Sequence, residues 1–390
     1  MRYPQWHSTT PALGAILVLM CSFILAGGLY AQCATGTLEI FGVSGGDYLG
    51  RSVAVSGGRI FVGAIGDDAD GPLSGSVRIL RRNGDNYQLE QIFQGDSGSE
   101  FGSSISVDGD LLAVGAVGSQ SIHLWRKDRY SWNELGTITD PGGHTEDGFG
   151  SSIDLRGDLL VVGSPYYEVE NQAVGCVTVW RLDQAQDWQL EDRLLAIDRV
   201  PGDQFGTSVS LGTDSELLVG APGRDLLGVD SGGAYLYQHG SAGWVEQITL
   251  GSGAANPGDK LGTAVASSPD HILLGAPYSD LAGSAAGAVA VYHRQSDTWN
   301  FAGQLLPTAG ATGCAFGASI ALSGNLATIG APTDTGIEAF PAGSATVYRW
   351  QGTWQQQGLL TGIPSSFLGS AVCVHRGVVV AGAPLDSTYA

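Results

Sequence analysis

Positive charge is scarce in this sequence: 18 Lys and Arg stand against 38 Asp and Glu in 390 residues, a formal net charge of -20 at pH 7. That balance argues against nucleic acid or anionic lipid as a partner, because both are bound by neutralising phosphates with Lys and Arg. Charged residues of both signs make up only 14% of the chain while Gly numbers 60, which disfavours long helices and suits short strands joined by tight turns. Hydrophobic residues at 43% leave ample material for a core and exclude disorder. Cysteine is also rare. Cys21, Cys33, Cys176, Cys314 and Cys373 show no metal-binding spacing and fix no disulfide pairing, so no metal and no cofactor are expected.

What the chain has instead is repetition. The stretch 316–332 reads FGASIALSGNLATIGAP, and counterparts begin at Leu49, Phe101, Phe149, Phe205, Leu261 and Leu368. Each closes on a Gly-Ala or Gly-Ser step at Gly63, Gly115, Gly163, Gly220, Gly275 and Gly382, as the first does at Gly330. The opening Gly precedes the closing one by thirteen residues in six copies and by fourteen between Gly206 and Gly220. A period of roughly fifty residues marks a repeat architecture and overrides the two or three domains that length alone suggests.

Within a copy the first apolar run alternates, as in Val53 and Val55 or Ile320 and Leu322, which is strand periodicity. A turn of Gly, Asp, Asn and Ser follows, then a nearly continuous apolar run such as 159–162, expected of a strand covered on both faces. After a variable loop, a third strand runs into an aromatic (Trp180, Tyr237, Tyr292, Tyr348), and another aromatic opens a fourth (Tyr87, Trp132, Trp188, Trp244, Trp299, Trp354). Sheets of four strands with two apolar faces bury both by stacking around an axis. The reading is an all-β, seven-bladed β-propeller of four-stranded antiparallel blades over 32–390. Residues 37–49 align with the strand that precedes the second unit, so the N-terminal segment is expected to supply an outermost strand to the last blade. The third strand of that blade then has no counterpart; either the sequence is a fragment, or the N-terminal strand slides inward and the blade has three strands.

Residues 1–31 have a secretory leader's pattern: Arg2 is the only fixed charge, 15–24 is apolar, and small residues lead to Ala31. An uncleaved anchor is the competing reading, the apolar run being a little short of a spanning helix. Removing 1–31 takes one Arg and no acid, so -20 becomes -21. A secreted or cell-surface location is expected, with no membrane insertion after cleavage.

The units at 205–222, 261–277 and 316–332, with Phe-Gly or Leu-Gly leading to Gly-Ala-Pro, resemble the FG-GAP repeat of the integrin α-chain propeller. The resemblance covers about 350 residues and implies a seven-bladed extracellular propeller that binds proteins or glycans. Family members that hold calcium do so in an Asp-rich loop between the first two strands of a blade. Here those turns, such as 107–110 and 374–377, are too short to wrap a cation.

Several strings resemble sites without the context a site needs. Arg156-Gly157-Asp158 occupies the turn that carries Asp108-Gly109-Asp110 elsewhere, and Gly42-Val43-Ser44-Gly45-Gly46 sits between no strand and helix. His239, His271, His293 and His375 fall at hairpin turns on one end, His144 alone at the other, so no convergent His, Arg and Tyr set is expected. The recurrent aromatics suit packing, while Trp350, Tyr166 and Tyr167 depart from the pattern and are candidate ligand platforms. The loops after each Gly-Ala-Pro and those entering each inner strand share one end. They gather Asp67, Asp68, Asp70, Glu168, Glu170, Asp225, Asp230, Asp280 and Asp334, with Asp47, Asp147, Asp203 and Asp259 from the second set. The first set, above all Asp67, Asp68, Asp70, Asp225, Asp230, Asp280 and Asp334, is the candidate ligand-binding face, against the alternative that Asp here only caps turns. The function expected is a non-enzymatic binding or adhesion module for an extracellular protein or glycan. A lyase-like polysaccharide enzyme and a structural unit of a larger surface protein are the alternatives.

Overall fold

Each repeat folds into antiparallel strands whose order in space is their order in sequence, since the connections within a unit are turns and short loops. In the first unit the strands are Leu49–Ser56, Arg59–Ala64, Ser76–Asn83 and Asn86–Gln94. Five more four-stranded sheets follow, from the units at 101, 149, 205, 261 and 316, and are numbered here as blades 2 to 6. The computed structural model describes residues 15–20, 46–213, 215–251, 253, 255–307, 311–336 and 340–384, and of 15–20 the backbone only. The innermost strands stand side by side around an axis. Ala371–His375 lies between those of blades 6 and 1 and closes the ring.

The repeat predicts seven four-stranded blades, and six are found among the described residues. The last unit contributes Ala371–His375 and Val378–Ala383, and the third strand of that sheet is Ala15–Met20, from Ala15 opposite Ala383 to Met20 opposite Val378. Val378–Ala383 is an apolar strand with an outer edge of backbone groups that need partners, and the apolar N-terminal run meets it. Residues 37–45 of the expected closing strand lie outside the described residues, and Leu49 itself begins blade 1.

The repeated letters acquire their meaning at the joints between blades. Phe101, Phe149, Phe205 and Phe316, with Leu49, Leu261 and Leu368 at the equivalent positions, are at most 1% exposed. Each packs between its own blade and the preceding one. Phe101, for instance, shares one apolar cluster with Phe61, Val77 and Ile79 of blade 1 and Leu112 and Val114 of blade 2. The core is therefore a set of slabs, one per joint, and each buried Phe or Leu contributes roughly 1.5–3 kcal/mol. The Gly after it takes a left-handed φ, 93° at Gly150 and 92° at Gly206, and turns its carbonyl towards the previous blade. There the closing Gly has no room for a side chain: a β-carbon on Gly220 would lie 2.1 Å from the Gly262 oxygen, and one on Gly382 would lie 2.0 Å from the Gly50 oxygen.

A serine staples the same contact. The hydroxyls of Ser52, Ser104, Ser152, Ser208 and Ser319 donate to the carbonyls of Gly102, Gly150, Gly206, Gly262 and Gly369 at 2.6–2.8 Å. Ala264 and Ala371 stand at the serine position in the other two units, which lack the bond. On the outer side of all six blades the pairing of third and fourth strands slips by one residue just before Leu80, Trp125, Trp180, Tyr237, Tyr292 or Tyr348. The bulge adds twist, and these side chains turn inward and are buried, so the recurrent third-strand aromatics are core.

Two substitutions test the staple. Ser208→Ala is expected to lower stability by about 1 kcal/mol and Ala264→Ser to raise it by a similar amount, read as opposite shifts of the urea midpoint at constant slope. Gly220→Ala, which puts a methyl into a carbonyl, should cost about 3 kcal/mol in the same measurement.

Candidate functional site

The acids of the loop end divide by burial, and Asp67 of the candidate ligand set, 9% exposed, falls with the buried ones. Asp47, Asp147, Asp203 and Asp259 are between 2% and 4% exposed, so they do not form part of a surface. Three of them cap the turn that leads into an inner strand: Asp147 Oδ2 accepts the His144 N–H, Asp203 Oδ2 the Val200 N–H at 2.7 Å, and Asp259 Oδ2 the Asn256 N–H at 2.9 Å. Asp47 lies 3.7 Å from Arg78, which is the same distance from Asp67. Burial raises the pKa of Asp147, Asp203 and Asp259 above the ordinary carboxylate value, and their turn hydrogen bonds offset this only in part.

The candidate ligand residues fall on four separate loops, in blades 1, 4, 5 and 6. Asp68, Asp225 and Asp280 perform one task three times, accepting the N–H five residues ahead, of Leu73, Asp230 and Ala285, at 2.7–2.8 Å. Asp67 and Asp334 accept the hydroxyls of Ser76 and Ser344 at 2.7 Å and backbone N–H groups two residues on. Asp230 holds a left-handed φ of 53°, and Asp70 is exposed. In five of the seven residues a side-chain oxygen therefore shapes the loop. No set of them converges on one point, and among the described residues no group of three or more His, Cys, Asp or Glu side chains could hold a metal ion.

A concavity forms where a loop is missing. Second and third strands are joined by 65–75, 165–175, 222–232, 277–287 and 332–343 in blades 1, 3, 4, 5 and 6, but only by 117–120 in blade 2. At five other joints the buried Phe or Leu N–H donates to the backbone of that longer loop, as Phe205 does to the Val174 carbonyl at 3.3 Å. In blade 2 the Gln120 side chain takes over, its Oε1 accepting the Phe149 N–H at 2.8 Å. Above this floor opens a cavity of about 640 Å³ at the junction of blades 2 and 3, lined among others by Glu100, Gln120, His144, Glu146 and Tyr166.

None of the seven candidate Asp residues lines it, whereas Tyr166, singled out in the sequence, does and is half exposed. Beside it the His144 ring lies 6.5 Å from that of Tyr167, and the Arg193 guanidinium sits 4.7 Å over Tyr167 while pairing with Asp140. His144 and Arg193 thus both lie near Tyr167, but Arg193 is engaged with Asp140. Trp350 is no open platform: it packs 4.5 Å from His271, a buried ring between blades 5 and 6 with neither nitrogen hydrogen-bonded. Burial holds the His271 pKa below the usual value and pushes the thiols of Cys176 and Cys373 up to about 12 and about 11, so neither cysteine is a nucleophile near neutral pH.

Comparison with known proteins agrees with this geometry. The sequence pattern of the FG-GAP repeat matches residues 42–79, 132–177, 188–237, 244–292 and 299–348, more than half of the chain. No curated protein matches it in sequence. Among solved structures, a protein from Lactobacillus plantarum is similar with a TM-score of 0.59 at 11% identity, over 95% of this chain and 99% of that one. A protein from Bacteroides uniformis described as a putative 6-phosphogluconolactonase is similar with a TM-score of 0.55 at 7% identity, over 90% and 97%. At such identities the likeness is one of fold.

The buried caps set a pH dependence. Asp203 binds its proton more tightly folded than unfolded, so its contribution to stability falls as pH rises from about 4 through its folded pKa and stays low at neutrality. Asp203→Asn keeps an oxygen for Val200 N–H without the buried charge. Its melting temperature is expected to exceed the parent's at pH 7, with the gap closing towards pH 4; a gap constant with pH would contradict the assignment.

Proposed function

This chain belongs to the FG-GAP repeat family, and we propose that it is a non-enzymatic binding module whose loop end docks another protein. The observation that carries this reading is where exposed apolar side chains lie. Outside the outer strands, nearly all large exposed apolar residues are on loops of one end, Ile197 at 84% and Val229 at 69% among them, while the hairpin end has only Tyr130 among the described residues. Ile197, Val200, Leu227, Val229, Tyr278 and Leu281 follow one another across blades 3 to 5. Their loops are tied together: Arg224 pairs with Asp198 at 2.5 Å, the Val229 carbonyl accepts the Gly258 N–H at 2.9 Å, and the Tyr278 N–H donates to the Asp259 carbonyl at 3.4 Å. Exposed apolar side chains gathered on neighbouring loops of one end are what a docking site offers.

The candidate acids keep a part in this. Asp225, Asp230 and Asp280 frame the apolar arc, so the partner that fits presents apolar side chains flanked by Lys or Arg. Export belongs to the same proposal, supported by the leader-like pattern of 1–31 and the acidity of the chain. Ala15–Met20 lies in that leader and is also a strand of the last sheet. N-terminal sequencing of the exported protein separates the roles: a start at Gln32 means the leader is removed, a start at Met1 that the strand is retained.

An enzymatic reading has one observation in its favour, the nearness of His144, Tyr167 and Arg193 beside the cavity between blades 2 and 3. Arg193 is paired with Asp140, however, and among the described residues no Lys or Arg lines that cavity to receive an acidic substrate. Incubation with acidic polysaccharides, watched for unsaturated products, tests it.

On an array of extracellular proteins, the binding reading expects hits that weaken at least tenfold in an Ile197→Asp, Val229→Asp double variant with an unchanged melting temperature. Hits indifferent to the pair would move the site off the arc.

A further inference from the structure

We infer that the cavity between blades 2 and 3 is a saccharide site selective for amine-bearing sugars, separate from the apolar arc. The repeats supply the comparison that makes the site stand out. At the position of Glu146 five other units have glycine, Gly46, Gly98, Gly202, Gly258 and Gly313, with φ between 65° and 108°, and the seventh has Ser365. Glu146 adopts the same backbone with φ 83°, a conformation that a residue with a β-carbon holds only at a cost.

Tyr166 is a second feature. Its N–H donates to the Asp147 carbonyl at 3.0 Å, as those of Gly66, Gly118 and Gly223 do to Asp47, Ser99 and Asp203; blade 5 has Tyr278 and blade 6 Thr333 at the same position, but neither lines this cavity. Where blades 1, 2 and 4 keep a glycine, blade 3 places an aromatic side chain at the cavity wall, half exposed. The third feature is the shortened 117–120 connection of blade 2, which leaves the cavity open.

The lining chemistry selects the ligand. An exposed Tyr ring offers the flat apolar surface on which the C–H face of a pyranose stacks. Thr139, Thr145 and His144 surround it with hydroxyls and an imidazole suited to sugar hydroxyls. Glu100 and Glu146 accept no hydrogen bond among the described residues, and no Lys or Arg lines the cavity. The nearby Arg193 donates through two nitrogens to Asp140. A uronate or a sugar phosphate would meet two carboxylates without a counter-charge, whereas an ammonium group of a hexosamine would pair with them.

Titration calorimetry with the whole protein decides the matter, using a β-1,4-linked glucosamine tetramer, its N-acetylated counterpart, a galacturonate tetramer and a lysine-containing tetrapeptide. The glucosamine tetramer is expected to bind at least tenfold tighter than the other three, with Tyr166→Ala weakening it at least tenfold. Glu146→Gly restores the residue most units use: it should weaken binding severalfold while raising the melting temperature by about 2–4 °C. Absence of glucosamine binding, equal or tighter binding of the uronate or the peptide, or full affinity in Tyr166→Ala or Glu146→Gly would each overturn the assignment. Because the arc variants at Ile197 and Val229 leave this cavity intact, loss of protein docking and loss of sugar binding remain separable results.

Discussion

At every joint of the ring a glycine carbonyl lies 2.0–2.5 Å from where a β-carbon on the neighbouring blade's closing glycine would stand, so blade spacing is set by two absent side chains. With that spacing fixed, one Phe or Leu fills each slab between blades and five serine hydroxyls bridge the same backbone. The sheets need little from within. Their faces are covered by the next sheet, and the bulge before Leu80 or the equivalent aromatic supplies the twist that lets one blade lie on another.

Because the inner half of each unit is so constrained, it was legible in the sequence. Glycine spacing located every joint, and alternation followed by a continuous apolar run located the strands. The loop end was less so. An Asp in a turn looks the same whether it caps a buried N–H, as Asp203 does, or faces solvent, as Asp70 does, since the difference depends on a loop from the adjoining unit. The short 117–120 connection and Glu146 among glycines were visible in principle by comparing units position by position. Their meaning emerges only when blades 2 and 3 are side by side. The last sheet was legible only in part: two strands from the last unit and a third from the N-terminal side were among the expectations, but not that 15–20 would pair with Val378–Ala383, a contact across the whole chain.

The two ends of the ring are therefore unequal. The hairpin end is made of short turns and holds buried groups such as His271 between aromatic rings. The loop end holds the exposed apolar arc, the cavity and the one Glu at a position otherwise mostly glycine. A repeat protein keeps its scaffold uniform and places its irregularities on one side, where they can differ without disturbing the joints.

The slabs also impose an order in time. Each is completed by the Phe or Leu of the following unit, so a blade emerging from synthesis keeps an uncovered face until roughly fifty more residues arrive. Six joints can form this way, one after another. The seventh cannot: Gly50 waits for Gly382, and closing a loop about eight times longer costs only about 1.9 kcal/mol more but leaves the open ring as the species exposed longest. The first blade, although made first, is the last to be sealed.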